Sequence, residues 1–122
     1  MEIEIEIKRI FLSGPVSSII KEKSYISAVL AFEDAEKKLR ELYPEAEIIN
    51  PMKICKAGWS WLRCMMKCLC QLFWCDTMAQ MHGWQNSRGS RIERCFAERW
   101  HLNIIRLWKY AGVTVIKTRR DY

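Results

Sequence analysis

The sequence predicts an α/β domain built on an open parallel sheet, and three observations carry that prediction. Short apolar runs of strand length alternate with longer amphipathic segments; each run stops at a Gly, Pro or Asn break; and a loop rich in glycine and serine leads from the third run into another helix. The order β-α-β-α-β-loop-α is what right-handed crossovers produce in a parallel sheet with helices on both faces. A chain of 122 residues has enough length for one packed core, so residues 1–122 are expected to form a single domain.

Each element has its own justification. Ile3, Ile5 and Ile7 alternate with Glu2, Glu4 and Glu6, the period of a half-buried strand, and Ile10-Phe11-Leu12 is continuously apolar, as in a strand covered on both faces. Ser13-Gly14-Pro15 breaks it. From Ser27 to Leu42 the apolar positions Val29, Phe32, Ala35, Leu39 and Leu42 recur at three and four, which predicts an amphipathic helix ended by Pro44. Ala46 to Ile49 reads as a short strand stopped at Asn50-Pro51. Trp59 to Cys75 reads as a helix whose one polar line is Arg63, Lys67 and Gln71. So much apolar surface exceeds what one face of a small sheet can cover, and it predicts a subunit interface and hence a homodimer. Thr77 to His82 is the third strand. Beyond it, Ile92, Phe96, Trp100, Ile104, Leu107 and Ala111 keep a helical period up to Gly112, Val113 to Lys117 reads as a strand, and the Arg119-Arg120 tail is expected to fray.

Composition narrows the function classes. Half the residues are hydrophobic and 28% are charged, a globular balance without low-complexity tracts. The net charge of +6 permits an anionic ligand, but Lys and Arg are scattered among fourteen acids, so nucleic acid is allowed and not indicated; a basic nucleic-acid module would rest on charge alone. The N-terminus lacks the basic start and apolar core of a secretory signal, and the Trp59–Trp74 run carries Arg63 and Lys67 and is short for a membrane span. A cytosolic protein without membrane contact is expected. The six cysteines form no Cys-x-x-Cys pair and read as reduced core thiols, with neither a metal site nor a disulfide framework.

In open parallel sheets ligands sit at the carboxyl ends of the strands. Here those ends carry Ser13 and Gly14, then Asn50, then His82, Gly83 and Trp84. Next comes Gly83-Trp84-Gln85-Asn86-Ser87-Arg88-Gly89-Ser90-Arg91-Ile92-Glu93, where Glu93 admits two readings. Ser90-x-x-Glu93 is the spacing of a capping box, in which serine and glutamate satisfy each other's backbone N–H groups. Equally, a carboxylate in a first helical turn, beside glycines that admit a substrate, is placed for chemistry.

The combination of Ile10-Phe11-Leu12-Ser13-Gly14-Pro15, Asn50-Pro51, Leu72-x-x-Cys75-Asp76 and Gly83-Trp84-x-x-Ser87-Arg88-Gly89-x-x-x-Glu93 with Ala97 resembles the nucleoside 2-deoxyribosyltransferase-like family, over roughly residues 8 to 105. It looks closest to the family's small bacterial and phage members, and it shares features with the 2′-deoxynucleoside 5′-monophosphate N-hydrolases. The resemblance implies a flavodoxin-like sheet, makes Asn103 to Leu107 a fourth strand, and so leaves four or five strands in all. It also implies a nucleoside or nucleotide ligand, cleavage or transfer at the N-glycosidic bond, Glu93 as the nucleophile, and no metal or cofactor. Ser87 then corresponds to the serine that meets a 5′-phosphate, with Arg88 adding charge and Gly89 admitting the substrate. Phe11 and Trp84 could stack on a base.

The chain departs from the family at two places. Phe11 stands where the family has a tyrosine whose hydroxyl holds the nucleophile, and Cys68 stands where it has an aspartate that protonates the leaving base. A thiol of ordinary pKa is a poor general acid. His82, at a strand end, is the candidate to replace it. The alternative is a nucleotide-binding protein of the same fold whose catalysis is impaired.

Overall fold

The computed structural model describes residues 7–56, 58–108 and 112–122. The alternating Ile3 and Ile5 positions and Ala111 lie outside the described residues. Strands β1 (Arg9–Ser13), β2 (Glu47–Ile49), β3 (Thr77–Gln80), β4 (Asn103–Leu107) and β5 (Val113–Lys117) form one sheet in the order β2-β1-β3-β4-β5. The first four are mutually parallel and β5 runs antiparallel on the edge. This is the expected flavodoxin-like open sheet, with one strand reversed.

The helices are α1 (Val16–Glu22), α2 (Tyr25–Leu42), α3 (Pro51–Ile54), α4 (Trp61–Phe73) and α5 (Arg88–Arg99). The period of two along β1 decides which helices go where. Ile10 and Leu12 face the side covered by Phe32 and Leu39 of α2, with Val16 and Ile19 of α1 beside them. Phe11 faces the other side, against Cys68 and Leu72 of α4 and Ala97 of α5. Phe11, Phe32, Leu39 and Leu72 are fully buried, each stabilising the fold by roughly 2 kcal/mol relative to exposure. At the amino end of the sheet, Asp76 Oδ2 accepts from the backbone N–H of Lys8 (2.8 Å) and Arg9 (3.3 Å), a tie that is structural and remote from the ligand end.

Several expectations are corrected. Helix α4 starts at Trp61, because Ser60 Oγ accepts from Arg63 N at 3.2 Å and leaves Trp59 in the loop before it. Of the two readings left open for the C-terminal part, the strand at Asn103–Leu107 is the one formed and the helical period toward Gly112 is not: α5 ends at Arg99, His101 has a φ of 56°, and Val113–Lys117 is the strand expected there. The tail is tied rather than frayed. Thr118 and Asp121 form a capping box, Arg119 N donates to Asn103 Oδ1 at 2.9 Å, and Tyr122 Oη donates to the Leu102 carbonyl at 2.8 Å. Cys55 and Cys64 are joined in a disulfide, contrary to the expectation of six free thiols, because the turn after α3 folds back onto the first turn of α4. Cys68 and Cys75 are buried thiols, and Cys70 and Cys95 are exposed.

The surplus apolar surface of α4 is on the outside. Leu62, Met66, Phe73 and Trp74 are exposed, and Phe73 meets Trp74 and, from the end of α5, Trp100 edge to face at about 5.5 Å. Among the described residues no helix is long and apolar enough to cross a membrane.

Candidate functional site

A cavity of about 310 Å³ opens at the carboxyl ends of β1 and β2, between the first turns of α4 and α5, at the lower end of the size range of ligand sites. Glu93, Ser87, Gly89 and Ser90 of the α5 entrance line it, with Gly14 after β1, Pro51 and Met52 after β2, and Cys68 of α4. Tyr25, Trp59 and Trp61 add aromatic rings to the lining.

Glu93 is the chemical centre of this cavity. It is 6% exposed, and Ser13 Oγ donates to its Oε1 at 2.8 Å from the end of β1. Ser90 Oγ donates to the Gly14 carbonyl at 2.6 Å, tying the first turn of α5 to the chain just after β1, and its oxygen lies 3.2 Å from Ser13 Oγ. Burial pushes the Glu93 carboxyl up to about 8, against a smaller opposing effect of the Ser13 hydrogen bond. The capping-box reading of Ser90 and Glu93 therefore fails. Helix α5 begins at Arg88, so Ser90 is already inside the first turn, its hydroxyl is spent on Gly14, and the Glu93 carboxyl is bonded to Ser13 on a different element.

Helix α5 enters the site without a side-chain cap. Ser87 occupies the cap position, is 4% exposed, and makes no cap hydrogen bond, so its hydroxyl is left at the cavity wall beside the first N–H groups of the helix. A Cβ at Gly14 would meet Met81 Sδ at 2.6 Å and Phe32 at 3.0 Å, so a larger residue there would have to displace the Met81 side chain. Arg88 is exposed and lays its guanidinium 4.9 Å over the Trp61 ring, bridging the entrances of α5 and α4.

The remaining predicted residues are placed differently. Phe11 is fully buried in the core beside Cys68, with no face for a base. Asn50 caps α3 through Met52 N (3.0 Å) and is buried next to Pro51, while its Nδ2 has no protein partner. Gly83 adopts a φ of 84° and turns the chain after β3. Trp84 lies under Arg94, 5.3 Å from ring to guanidinium, and Arg94 in turn donates to Gln80 Oε1 at 2.6 Å. His82 lines a second depression of about 390 Å³, with Lys23, Asp34 and Trp108, not the one that holds Glu93.

Cys68 lines the Glu93 cavity, and burial, with a smaller push from the Glu93 carboxylate, raises its thiol to about 12. Such a thiol keeps its proton at neutral pH. Among the described lining residues, Tyr25 and Lys56 are the other proton carriers outside the cysteines. Sequence reasoning missed Ser90 as the tie from α5 to the Gly14 carbonyl, and it missed Tyr25, Lys56, Trp59 and Trp61 as lining residues. The signal for the last two was Gly58-Trp59-Ser60-Trp61, a glycine and two tryptophans around a good helix cap.

Fold and site together define a class: an open α/β domain of flavodoxin type with a buried, serine-held carboxyl in a cavity at its strand ends. Residues 8–106 match the family described as "Domain of unknown function (DUF4406)", and the chain belongs to that family. Among curated proteins, none matches the chain.

Proposed function

We propose that the protein binds a deoxynucleoside or its 5′-monophosphate in the Glu93 cavity and cleaves, or transfers at, the N-glycosidic bond. The observation that carries this reading is the Glu93 carboxyl, buried, bonded to Ser13 and lining a ligand-sized space with aromatic rings in its lining. It agrees with the resemblance to the nucleoside 2-deoxyribosyltransferase-like family, in which the matching glutamate is the nucleophile.

In this reaction the ionised Glu93 attacks the anomeric carbon, a C–O bond forms as the C–N bond breaks, and the base leaves with the bonding electrons and takes a proton. Water or a second base then displaces the carboxylate, with net retention. Ser13 supplies the hydrogen bond that the family takes from a tyrosine hydroxyl, so Phe11 can be pure core. Ser87 and the free N–H groups of the α5 entrance face a 5′-phosphate, and Arg88 adds charge at the rim. Tyr25 and Trp61 offer faces for the base. Incubation with a panel of deoxynucleosides and their 5′-monophosphates, with free base followed by chromatography, tests the reading; no base from any of them would refute it.

A specific observation favours a second reading. A Cys68 thiol at about 12 cannot serve as the general acid that the family's aspartate supplies, which fits a nucleotide-binding protein with impaired catalysis. Tight binding of a mononucleotide without base release would decide for it. We also infer that the exposed Leu62, Met66, Phe73 and Trp74 face pairs two copies. Sedimentation should find a dimer that Phe73→Glu converts to a monomer.

A further inference from the structure

The wall of the Glu93 cavity holds a second group of reactive side chains that the glycosidic chemistry does not use. Cys55 at the end of α3, and Cys64 and Cys68 one turn apart on α4, bring three sulfurs within 4.8 Å of one another, and all three line the cavity. A disulfide needs two cysteines. Here the third, Cys68, lies 3.8 Å from the Cys55 sulfur and is itself buried. A tetrahedral zinc ion with Zn–S bonds of about 2.3 Å holds neighbouring sulfurs about 3.8 Å apart, so the Cys55–Cys68 pair already has the spacing of two ligands of one ion.

We propose that Cys55, Cys64 and Cys68, when reduced, form a binding site for a borderline-soft divalent cation of the zinc class, with the fourth coordination position open to the cavity. Three thiolates select such a cation over magnesium or calcium, which take oxygen ligands. Two ligands four residues apart on one helix are held on one face by the helix itself. The third comes from the turn packed against that helix. Thiols bind such a cation as thiolates, so binding releases their protons. Three protein ligands and one open position is the arrangement of zinc sites that take an exogenous ligand, whereas purely structural sites close all four. Joining Cys55 to Cys64 removes two ligands, so the disulfide and the cation exclude each other. The proposal does not depend on the glycosidase reading.

The test uses Co²⁺ as a spectroscopic probe on the full chain, reduced with a phosphine under argon and desalted. One equivalent of Co²⁺ should bring thiolate-to-metal charge-transfer bands and intense tetrahedral d–d bands, reversed by Zn²⁺. The oxidised protein should show neither. Cys68→Ser and Cys64→Ser should each weaken binding by more than the ~100-fold typical of losing an outer-shell contact, with folding verified by circular dichroism, while Cys70→Ser keeps full affinity. Should either serine variant fail to fold, Cys55→Ser, in the turn after α3, serves in its place. Absence of thiolate bands in the reduced wild type would overturn the proposal. So would bands that survive in folded Cys68→Ser, or that vanish in Cys70→Ser.

Discussion

Replacing Glu93 with glutamine should make the protein more stable at alkaline pH while abolishing base release. In the fold the carboxyl sits at about 8, against an ordinary value of 4.5, and burial is the main cause. The folded state therefore keeps a proton that the unfolded chain gives up above about pH 4.5. The contribution is fully present below that pH, is lost as pH rises through about 8, and is constant beyond. At ~1.4 kcal/mol per pH unit, moving the carboxyl from 4.5 to about 8 removes on the order of 5 kcal/mol of stability between those limits. Glutamine has no charge to desolvate and still offers an oxygen to Ser13 Oγ, so its curve should lack this decline. Urea unfolding of both proteins at about pH 4, 6 and 9, one point below, one between and one above the two limits, measures the difference directly. Parallel pH curves for the two proteins would refute the buried, neutral carboxyl. The same titration governs the proposed reaction: roughly a tenth of the carboxyl is ionised at pH 7, so wild-type kcat/KM should rise with pH to about 8, and Glu93→Gln should release no base at any pH.

Four further outcomes follow from the same geometry. Ser13→Ala removes the hydrogen bond that lowers the Glu93 pKa, so the rise of kcat/KM should move to higher pH, read from a pH–rate profile. Ser87→Ala should cost about 1 kcal/mol or more of affinity for a 5′-monophosphate and little for the nucleoside, measured by calorimetry; equal losses would remove the phosphate assignment. Cys68→Asp should raise base release by about a hundredfold if a missing acid limits turnover, with melting followed alongside because an aspartate in this core lacks an evident partner. Leu72→Ala opens a cavity between α4 and the sheet and should cost about 2–5 kcal/mol in urea unfolding.

The class of fold was legible because it is written in periods. The apolar run at Ile10-Phe11-Leu12, the spacing of three and four from Val29 to Leu42, and the breaks at Gly14, Asn50 and Gly83 are local properties, and each marks a strand, a helix or a strand end without reference to distant residues. Glu93 was legible as a candidate for a similar reason, since the motif from Gly83 to Glu93 lies within one loop and the first two turns of one helix. Its role was not legible. Ser90-x-x-Glu93 fits a cap as well as a catalytic site, and only the packing of α5 against β1 puts Ser13, eighty positions away in sequence, within 2.8 Å of the carboxyl. The same holds for the placement of His82 in the second depression, which its strand-end position does not determine, and for Cys55 and Cys64, which meet because a turn folds back on a helix. Periodicity reports a residue's own element and face, which neighbouring side chains and backbone sterics determine. Which elements then meet, what water they exclude, and how far a buried carboxyl's pKa moves depend on contacts between segments far apart in the chain, and those exist only once the sheet is assembled.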